Sequence, residues 1–124
     1  MAKKISEHLW LKRKQGDKYF YAAKSNGYRA RSVYKLFEIN KKFNLIKGSL
    51  RVADLGAAPG SWSQMLSDKL FTKGNNNKSK IYAIDLQNIE PIEKVIIIKK
   101  DIKDFLKERY IIDKNSLDLV LSDM

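Results

Sequence analysis

Apolar positions change their spacing near residue 48 of the 124-residue chain. Before that point they recur every three or four residues, as in Val33, Leu36 and Phe37, which is the helical period. After it, short apolar or β-branched runs indicate strands buried in a parallel sheet. The pattern predicts helices at residues 6–13, 17–26, 31–43, Ser61–Phe71 and Ile102–Tyr110, and strands at Leu50–Leu55, Lys80–Asp85, Val95–Lys99 and Leu117–Asp123.

The order of these elements predicts an α/β fold with a doubly wound sheet, because strands alternate with helices. Asp17 is a plausible N-cap, Gly27 a plausible helix stop, and the polar tract 74–79 a loop. We divide the chain into a basic helical segment, residues 1–47, that is continuous with the domain, and the first part of the α/β domain, residues 48–124. The last strand lacks the helix that would cover it, so we expect a truncation after the fourth strand of a longer protein.

The positive charge is concentrated in the first part of the chain. Residues 1–51 contain 14 Lys or Arg and three Asp or Glu, whereas residues 52–124 contain 11 of each, and the net charge is +11. Aromatic residues such as Trp10, Tyr19 and Tyr34 lie between these cations. Such a segment is suited to RNA, with phosphates on the cations and unpaired bases on the rings. The alternative is a lysine-rich surface that reflects compositional bias.

Several classes of protein are disfavoured by composition. The chain has no cysteine and a single histidine, His8, so we expect no disulfide framework and no metal site. No apolar run approaches the roughly 18 residues of a membrane span, and the N-terminus has no secretory signal. We therefore expect a cytoplasmic protein with no membrane partner.

Aspartates follow the predicted strands where a doubly wound sheet binds its ligands, at the carboxyl ends. These residues are Asp54, Asp85, Asp101 and Asp123. The stretch ADLGAAPGSW joins the first strand to the next helix, and its glycines Gly56 and Gly60 allow the backbone to approach a ligand closely. Each aspartate alone is more often a turn or cap residue, but the shared position favours a site.

The spacing in this loop restricts the ligand. A phosphate-binding loop would end in Gly-Lys-Ser/Thr, and a dinucleotide fingerprint would read G-x-G-x-x-G; the chain has neither. A nucleoside ligand without pyrophosphate remains. Asp85 is placed to accept hydrogen bonds from ribose hydroxyls, and Asp101 could accept from an adenine amino group. S-adenosylmethionine fits this description.

Four separated blocks of the chain resemble the FtsJ-type ribose 2′-O-methyltransferases. They are GYRARSVYKL at residues 27–36, DLGAAPGSWSQ at 54–64, IDL at 84–86 and SDM at 122–124. The resemblance runs from about Trp10 to the last residue and implies a Rossmann-like fold that transfers a methyl group from S-adenosylmethionine to a ribose 2′-hydroxyl of RNA. It also implies cofactor contacts at Gly60, Trp62, Asp85, Asp101 and Asp123. We predict a further cofactor contact at Gly56 from its place in the loop.

The same resemblance implies a catalytic set of Lys, Asp, Lys and Glu. Lys35 matches the first lysine and Asp123 the aspartate, whereas the second lysine and the glutamate would lie beyond Met124. Lys35 would otherwise be interpreted as a solvated helix lysine. We assign it to orientation and electrostatic stabilisation, assign Asp123 to orienting the lysine and the methyl donor, and expect the 124-residue chain alone to be inactive.

The RNA substrate is predicted from the N-terminal blocks. WLKR at residues 10–13 and DKY at 17–19 resemble the branch of the family that modifies large-subunit ribosomal RNA, but Ser61, in Gly-Ser-Trp, is frequent in the transfer-RNA branch. We favour ribosomal RNA, with transfer RNA as the alternative. The predicted RNA contacts are Lys12, Arg13, Arg29 and Arg31.

Two other classes of function stay open. One is a non-catalytic RNA-binding module of ribosome assembly that keeps the fold; the other is a nicotinamide-dependent oxidoreductase, which the missing dinucleotide fingerprint disfavours. We expect a monomeric enzyme. Binding of RNA without methyl transfer would favour the first alternative, and binding of NAD in preference to S-adenosylhomocysteine would favour the second.

Overall fold

A computed structural model describes residues 18–72, 78–107 and 116–124. In chain order the elements are α1 (Lys18–Ser25), α2 (Val33–Phe43), β1 (Arg51–Leu55), α3 (Ser61–Leu70), β2 (Lys80–Asp85), β3 (Val95–Lys99), α4 (Ile102–Lys107) and β4 (Leu119–Ser122). The predicted helices and strands in these ranges are confirmed, with ends that differ by no more than two residues where both ends are described. The predicted helix at 6–13, Asp17, most of the tract 74–79 and the end of the helix at 108–110 lie outside the described residues.

The four strands form one parallel sheet in the order β3-β2-β1-β4. In the centre, Ala53 of β1 pairs in register with Tyr82 of β2 on one side and Val120 of β4 on the other. The chain moves outward from β1 to β3 and then crosses back to place β4 beside β1. This reversal confirms the predicted α/β fold with a doubly wound sheet, and it opens a crevice at the carboxyl ends of β1 and β4.

Burial differs between the central and outer strands, and this corrects the expectation that all four are buried. The interior positions of β1 and β2 are buried, whereas Ile96 of β3 is 45% exposed and Val120 of β4 is 54% exposed. Ile96 pairs with Tyr82 and Val120 with Ala53, so both lie on the face where α4, a helix of six residues, packs on β2, and the outer strands stay partly exposed there. An apolar run therefore predicts a strand here without predicting its place in the sheet.

Helices pack on both faces of the sheet. On one face, Val52 and Ile81 contact a core of α2 and α3 that includes Leu36 and Met65. On the other face, Ala53, Tyr82 and Ile84 pack with Phe105 of α4. Adjacent strand residues point to opposite faces, which is how Val52 and Ala53 serve different layers.

The N-terminal helices bring the basic segment to the sheet. Helix α1 ends before Gly27, which has a φ of +78°, and the N–H of Tyr28 donates to the carbonyl of Ala23 at 2.9 Å, as expected for the predicted helix stop. Helix α2 packs on α3 and α1 on α2. The division of the chain at residue 47 stays a prediction.

Candidate active site

The loop between β1 and α3 is held by backbone hydrogen bonds to β2. The N–H groups of Gly56 and Ala57 both donate to the carbonyl of Ile84, at 2.8 and 3.1 Å. Gly56 has a φ of +68°, a conformation that favours glycine, and a Cβ there would lie 2.6 Å from Cγ of Met124. The backbone at Gly56 is thus close to Met124, in the segment that follows β4, across the crevice.

Asp85, at the end of β2, holds this loop from the other side. Its Oδ2 accepts from the N–H of Ala58 at 2.9 Å, and its Oδ1 accepts from the N–H of Gln87 at 2.8 Å. The same residue borders a cavity of about 260 Å³, whose lining comprises Gly56, Asp85, Leu86, Asp101, Ile102 and Met124. Three of the predicted cofactor residues are therefore brought to one cavity.

Asp101 has two roles in the structure. Its Oδ1 accepts from the N–H of Lys103 at 2.9 Å and its carbonyl accepts from the N–H of Phe105, so that it begins α4. It also borders the same cavity as Gly56. Asp101 is thus both a helix cap, as such an aspartate commonly is, and a residue of the candidate site.

Lys35 and Asp123 form an ion pair although they are 88 residues apart in the chain. Nζ of Lys35 lies 2.6 Å from Oδ1 of Asp123, and their side chains are 62% and 26% exposed. Helix α2 supplies the lysine, and the segment after β4 supplies the aspartate. Asp123 immediately precedes Met124, which lines the cavity. Because Lys35 is exposed and an ammonium has three N–H donors, it can also donate to an oxygen that enters from solvent.

Asp54 is the buried carboxylate of the site. It is 2% exposed, and its Oδ2 accepts from Oγ of Ser63 at 2.8 Å. Burial raises the pKa of the Asp54 carboxyl to about 6, and the carboxylates of Asp123 and Asp85 add to this rise, while the Ser63 bond opposes it. The crevice thus has a negative field behind its loop, which is suited to a cationic ligand.

Two predicted cofactor residues lie elsewhere. Trp62 is 5% exposed in the core between α2 and α3, and its Nε1 donates to the carbonyl of Ser32 at 2.9 Å. Gly60 has a φ of +115° and packs so closely that a Cβ would lie 2.8 Å from Cδ1 of Ile92 and 3.1 Å from Nη1 of Arg29. Both positions support the loop from behind, and a cofactor contact at either stays a prediction.

Arg29 has a structural role that its sequence position did not reveal. Its guanidinium donates to the carbonyls of Pro59, Glu90 and Pro91 at 2.8 to 3.0 Å. Its backbone N–H donates to Oε1 of Gln64 at 2.9 Å. Arg29 therefore ties the basic segment to the glycine loop and to the β2–β3 connection. RNA contact by Arg29 stays a prediction, and it would have to coexist with these three bonds.

The other predicted RNA contacts are distributed differently. Arg31 is exposed and lines a cleft beside Lys35, whereas Lys12 and Arg13 lie outside the described residues. Sequence reasoning missed three features: the structural role of Arg29, the close approach of Met124 to Gly56, and the hydrogen bond from Ser63 to Asp54. Polar residues within the motif blocks were the only available signal, because each partner lies at a distance in the chain that local periodicity does not encode.

Two features are absent from the described part of the chain. Across residues 18–72, 78–107 and 116–124, no helix is both long and apolar enough to cross a membrane. In the same ranges no group of three or more His, Cys, Asp or Glu side chains could hold a metal ion.

Several known proteins are similar to this chain in sequence. The model of the FtsJ-like methyltransferase family matches residues 28–124. The "Ribosomal RNA large subunit methyltransferase E" of Rickettsia bellii (strain RML369-C) is 43% identical over 122 residues, which are 97% of this chain and 54% of that protein. The protein of the same name from Rickettsia typhi (strain ATCC VR-144 / Wilmington) is 44% identical over the same shares. The chain thus spans about half the length of the curated relatives it matches.

A solved structure is also similar. It is a crystal structure from Plasmodium falciparum described as that of a putative ribosomal RNA methyltransferase, with a TM-score of 0.67 and 33% sequence identity. The match covers 78% of this chain and 56% of that one. The motif resemblance, the Rossmann-like sheet and the family match agree. The chain belongs to the FtsJ-like methyltransferase family.

Proposed function

We propose that the protein transfers a methyl group from S-adenosylmethionine to a ribose 2′-hydroxyl of large-subunit ribosomal RNA. One observation carries the proposal: the ion pair of Lys35 with Asp123, at 2.6 Å, stands at the ligand-binding edge of the sheet beside the cavity that Gly56, Asp85 and Asp101 border. A solvated lysine on a helix surface needs no such partner. The pair instead joins the two matching positions of the family's catalytic set.

The charges at the cavity suit S-adenosylmethionine. Asp85 and Asp101 present carboxylate acceptors on its wall, which would hold ribose hydroxyls and an amino group. Asp54 and Asp123 carry negative charge that would favour a cationic sulfonium. When bound, S-adenosylmethionine would supply an electrophilic methyl group.

The residues of this chain act on the acceptor. A ribose hydroxyl is a weak nucleophile, so alignment with the methyl group is the main requirement, and positioning can supply several kcal/mol of the barrier. The Lys35 ammonium, fixed by Asp123, would hold the hydroxyl oxygen and stabilise the negative charge that develops on it as the hydroxyl proton leaves to water. We assign Asp123 to orienting both Lys35 and the donor.

The RNA substrate is supported by charge and by the relatives. The excess of positive charge lies in residues 1–51, which precede and include the helix that carries Lys35. Relatives named as large-subunit ribosomal RNA methyltransferases cover 97% of the chain. Ser61 is 3% exposed and its Oγ lies 3.4 Å from Oγ of Ser32. A serine at this position, which is frequent in the transfer-RNA branch, therefore concerns the packing of α3 on α2 and is a weak argument about the RNA. A monomeric state and a cytoplasmic location stay predictions.

The experiment is methyl transfer by the full-length protein. Ribosomal subunits, transfer RNA and total RNA from cells that lack the gene would be incubated with methyl-labelled S-adenosylmethionine, and the labelled RNA digested to nucleosides. We expect label in a 2′-O-methyl nucleoside of large-subunit RNA. Label on a base would refute the reaction, label in transfer RNA alone would refute the substrate, and RNA binding without label would favour the non-catalytic module. Asp123→Asn serves as the matched variant, because it keeps the size of the side chain and removes its charge.

A further inference from the structure

A cleft of about 500 Å³ opens beside Lys35, on the side of α2 that faces α1. Its lining comprises Tyr19, Arg31, Ser32, Tyr34, Lys35 and Glu38. The volume lies within the range of about 300–1,000 Å³ that is usual for sites of small molecules. Since Lys35 belongs both to this cleft and to the pair with Asp123, whatever occupies the cleft is adjacent to the proposed position of methyl transfer.

The wall of the cleft is aromatic and held in place. The rings of Tyr19 and Tyr34 lie 5.4 Å apart with an angle of 34° between their planes. Tyr34 also packs against Phe37 at 5.8 Å, and its Oη accepts from Nδ2 of Asn26 at 2.9 Å. Tyr19 is 40% exposed. Tyr19 and Tyr34, which we call the tyrosine wall, therefore present ring surface to solvent. Because their contacts already restrict them, they should lose little conformational entropy when a ligand binds.

The charges of the cleft are mixed. Arg31 and Lys35 contribute cations, and Nζ of Lys18, which is not among the described residues that line the cleft, lies 5.2 Å from the centroid of the Tyr19 ring. Glu38 contributes a carboxylate, which accepts from Oη of Tyr19 at 3.4 Å. A free phosphate would need only the cations, and an apolar peptide would need neither the cations nor the carboxylate. A nucleotide needs all three kinds of group: a ring surface, a cation for its phosphate and an acceptor for the donor groups of its base.

We infer that this cleft receives the base of an RNA nucleotide next to the one that is methylated. The base packs on the wall of Tyr19 and Tyr34, its edge faces Glu38, and the adjoining phosphate lies on Arg31. The inference rests on the proposed function, because the target ribose must be at Lys35 for its neighbour to reach the cleft. The cleft thereby selects an unpaired segment of RNA, since a paired base cannot expose its face to the wall.

The test is a double-mutant cycle between the wall and the base. The full-length protein would be titrated, by fluorescence anisotropy, with a short labelled RNA that contains the mapped methylation position, and with two RNAs that carry an abasic nucleotide on either side of it. Tyr19→Leu removes the exposed ring. Tyr21→Leu is the matched control, because Tyr21 is a 47% exposed tyrosine of the same helix that is not among the described residues lining the cleft.

We expect Tyr19→Leu to weaken RNA binding by at least about fivefold, the lower end of the range for one stacked base. One of the abasic RNAs should bind wild type more weakly by a similar factor and should bind Tyr19→Leu with no further loss. Tyr19→Phe should retain most of the affinity because it keeps the ring. Tyr21→Leu should change the affinity by less than about twofold.

The possible outcomes distinguish failure of this inference from failure of the proposed function. If the protein methylates a ribose but Tyr19→Leu and Tyr21→Leu bind RNA alike, or if the abasic and Tyr19→Leu losses are additive, the cleft inference is overturned while the function stands. If no methyl transfer to RNA occurs, both are overturned. A change in oligomeric state caused by Tyr19→Leu, with RNA affinity unchanged, would show that the wall is a protein interface and would also overturn the inference.

Discussion

Replacing Gly60 by alanine should destabilise the protein more than the same change at another glycine with positive φ. Any L-residue at φ +115° is strained, and left-handed backbone conformations cost roughly 1–2 kcal/mol. The added Cβ would also lie 2.8 Å from Cδ1 of Ile92 and 3.1 Å from Nη1 of Arg29. Ile92 can rotate, but Arg29 is held by three carbonyls, so the crowding should add about 1–3 kcal/mol. We expect a total loss of about 3 kcal/mol.

Gly48→Ala is the matched control for Gly60→Ala. Gly48 has a φ of +66°, and a Cβ added there would meet no atom within 4 Å, so the backbone strain of about 1 kcal/mol is the whole expected cost. Urea denaturation of the full-length protein, followed by the fluorescence of the buried Trp62, measures both variants. Losses for the two variants that agree within about 0.5 kcal/mol would refute the crowding at Gly60.

Three further predictions concern the groups that support and form the site. The raised pKa of Asp54 means that the folded protein binds more protons than the unfolded chain between about pH 4 and 6, so wild type loses stability as pH rises through that window. Asp54→Asn keeps an acceptor for Ser63, and its free energy of unfolding should exceed that of wild type by nearly zero at pH 4 and by about 3 kcal/mol at pH 7. A difference between the two proteins that does not change with pH would contradict this. Arg29→Lys should lower the free energy of unfolding by about 2 kcal/mol, measured by urea denaturation, because an ammonium cannot span three carbonyls as a guanidinium does; an unchanged midpoint would show that these bonds contribute nothing. Asp85→Ala should weaken S-adenosylhomocysteine binding at least about tenfold in calorimetry, whereas Lys35→Ala should leave it unchanged and lower turnover, and the reverse pattern would exchange their roles.

Local pattern was sufficient for the elements and for the edge of the sheet that carries the site. The runs at Lys80–Asp85 and Val95–Lys99 match the strands residue for residue, because their length of five or six residues and their isoleucine, valine and tyrosine favour a strand. Alternation of strands with helices implied a doubly wound sheet, and that topology places the aspartates at its carboxyl ends. Gly56, Asp85 and Asp101 at one cavity follow from this reasoning together with spacing.

The pairing of Lys35 with Asp123 was implied only by the resemblance to a family. Helical periodicity treats Lys35 as one of several exposed lysines, and nothing in the local sequence relates it to a residue 88 positions later. The contact exists because β4 crosses back to lie beside β1 and because α2 packs on α3. The first of these is a consequence of the sheet order β3-β2-β1-β4, which the strand runs by themselves do not specify.

The sequence by itself determined where the helices and strands lie, which end of the sheet is polar and which part of the chain is basic, because each depends on residues that are close in the chain. Only the tertiary structure decided which of the predicted site residues also support the scaffold. The binding contacts of Trp62 and Arg29 stay predictions, and in the structure Trp62 lies in the core and Arg29 donates to three carbonyls of two loops. A buried indole and a bridging guanidinium obtain their partners from distant segments, and those partners are fixed only when the layers pack.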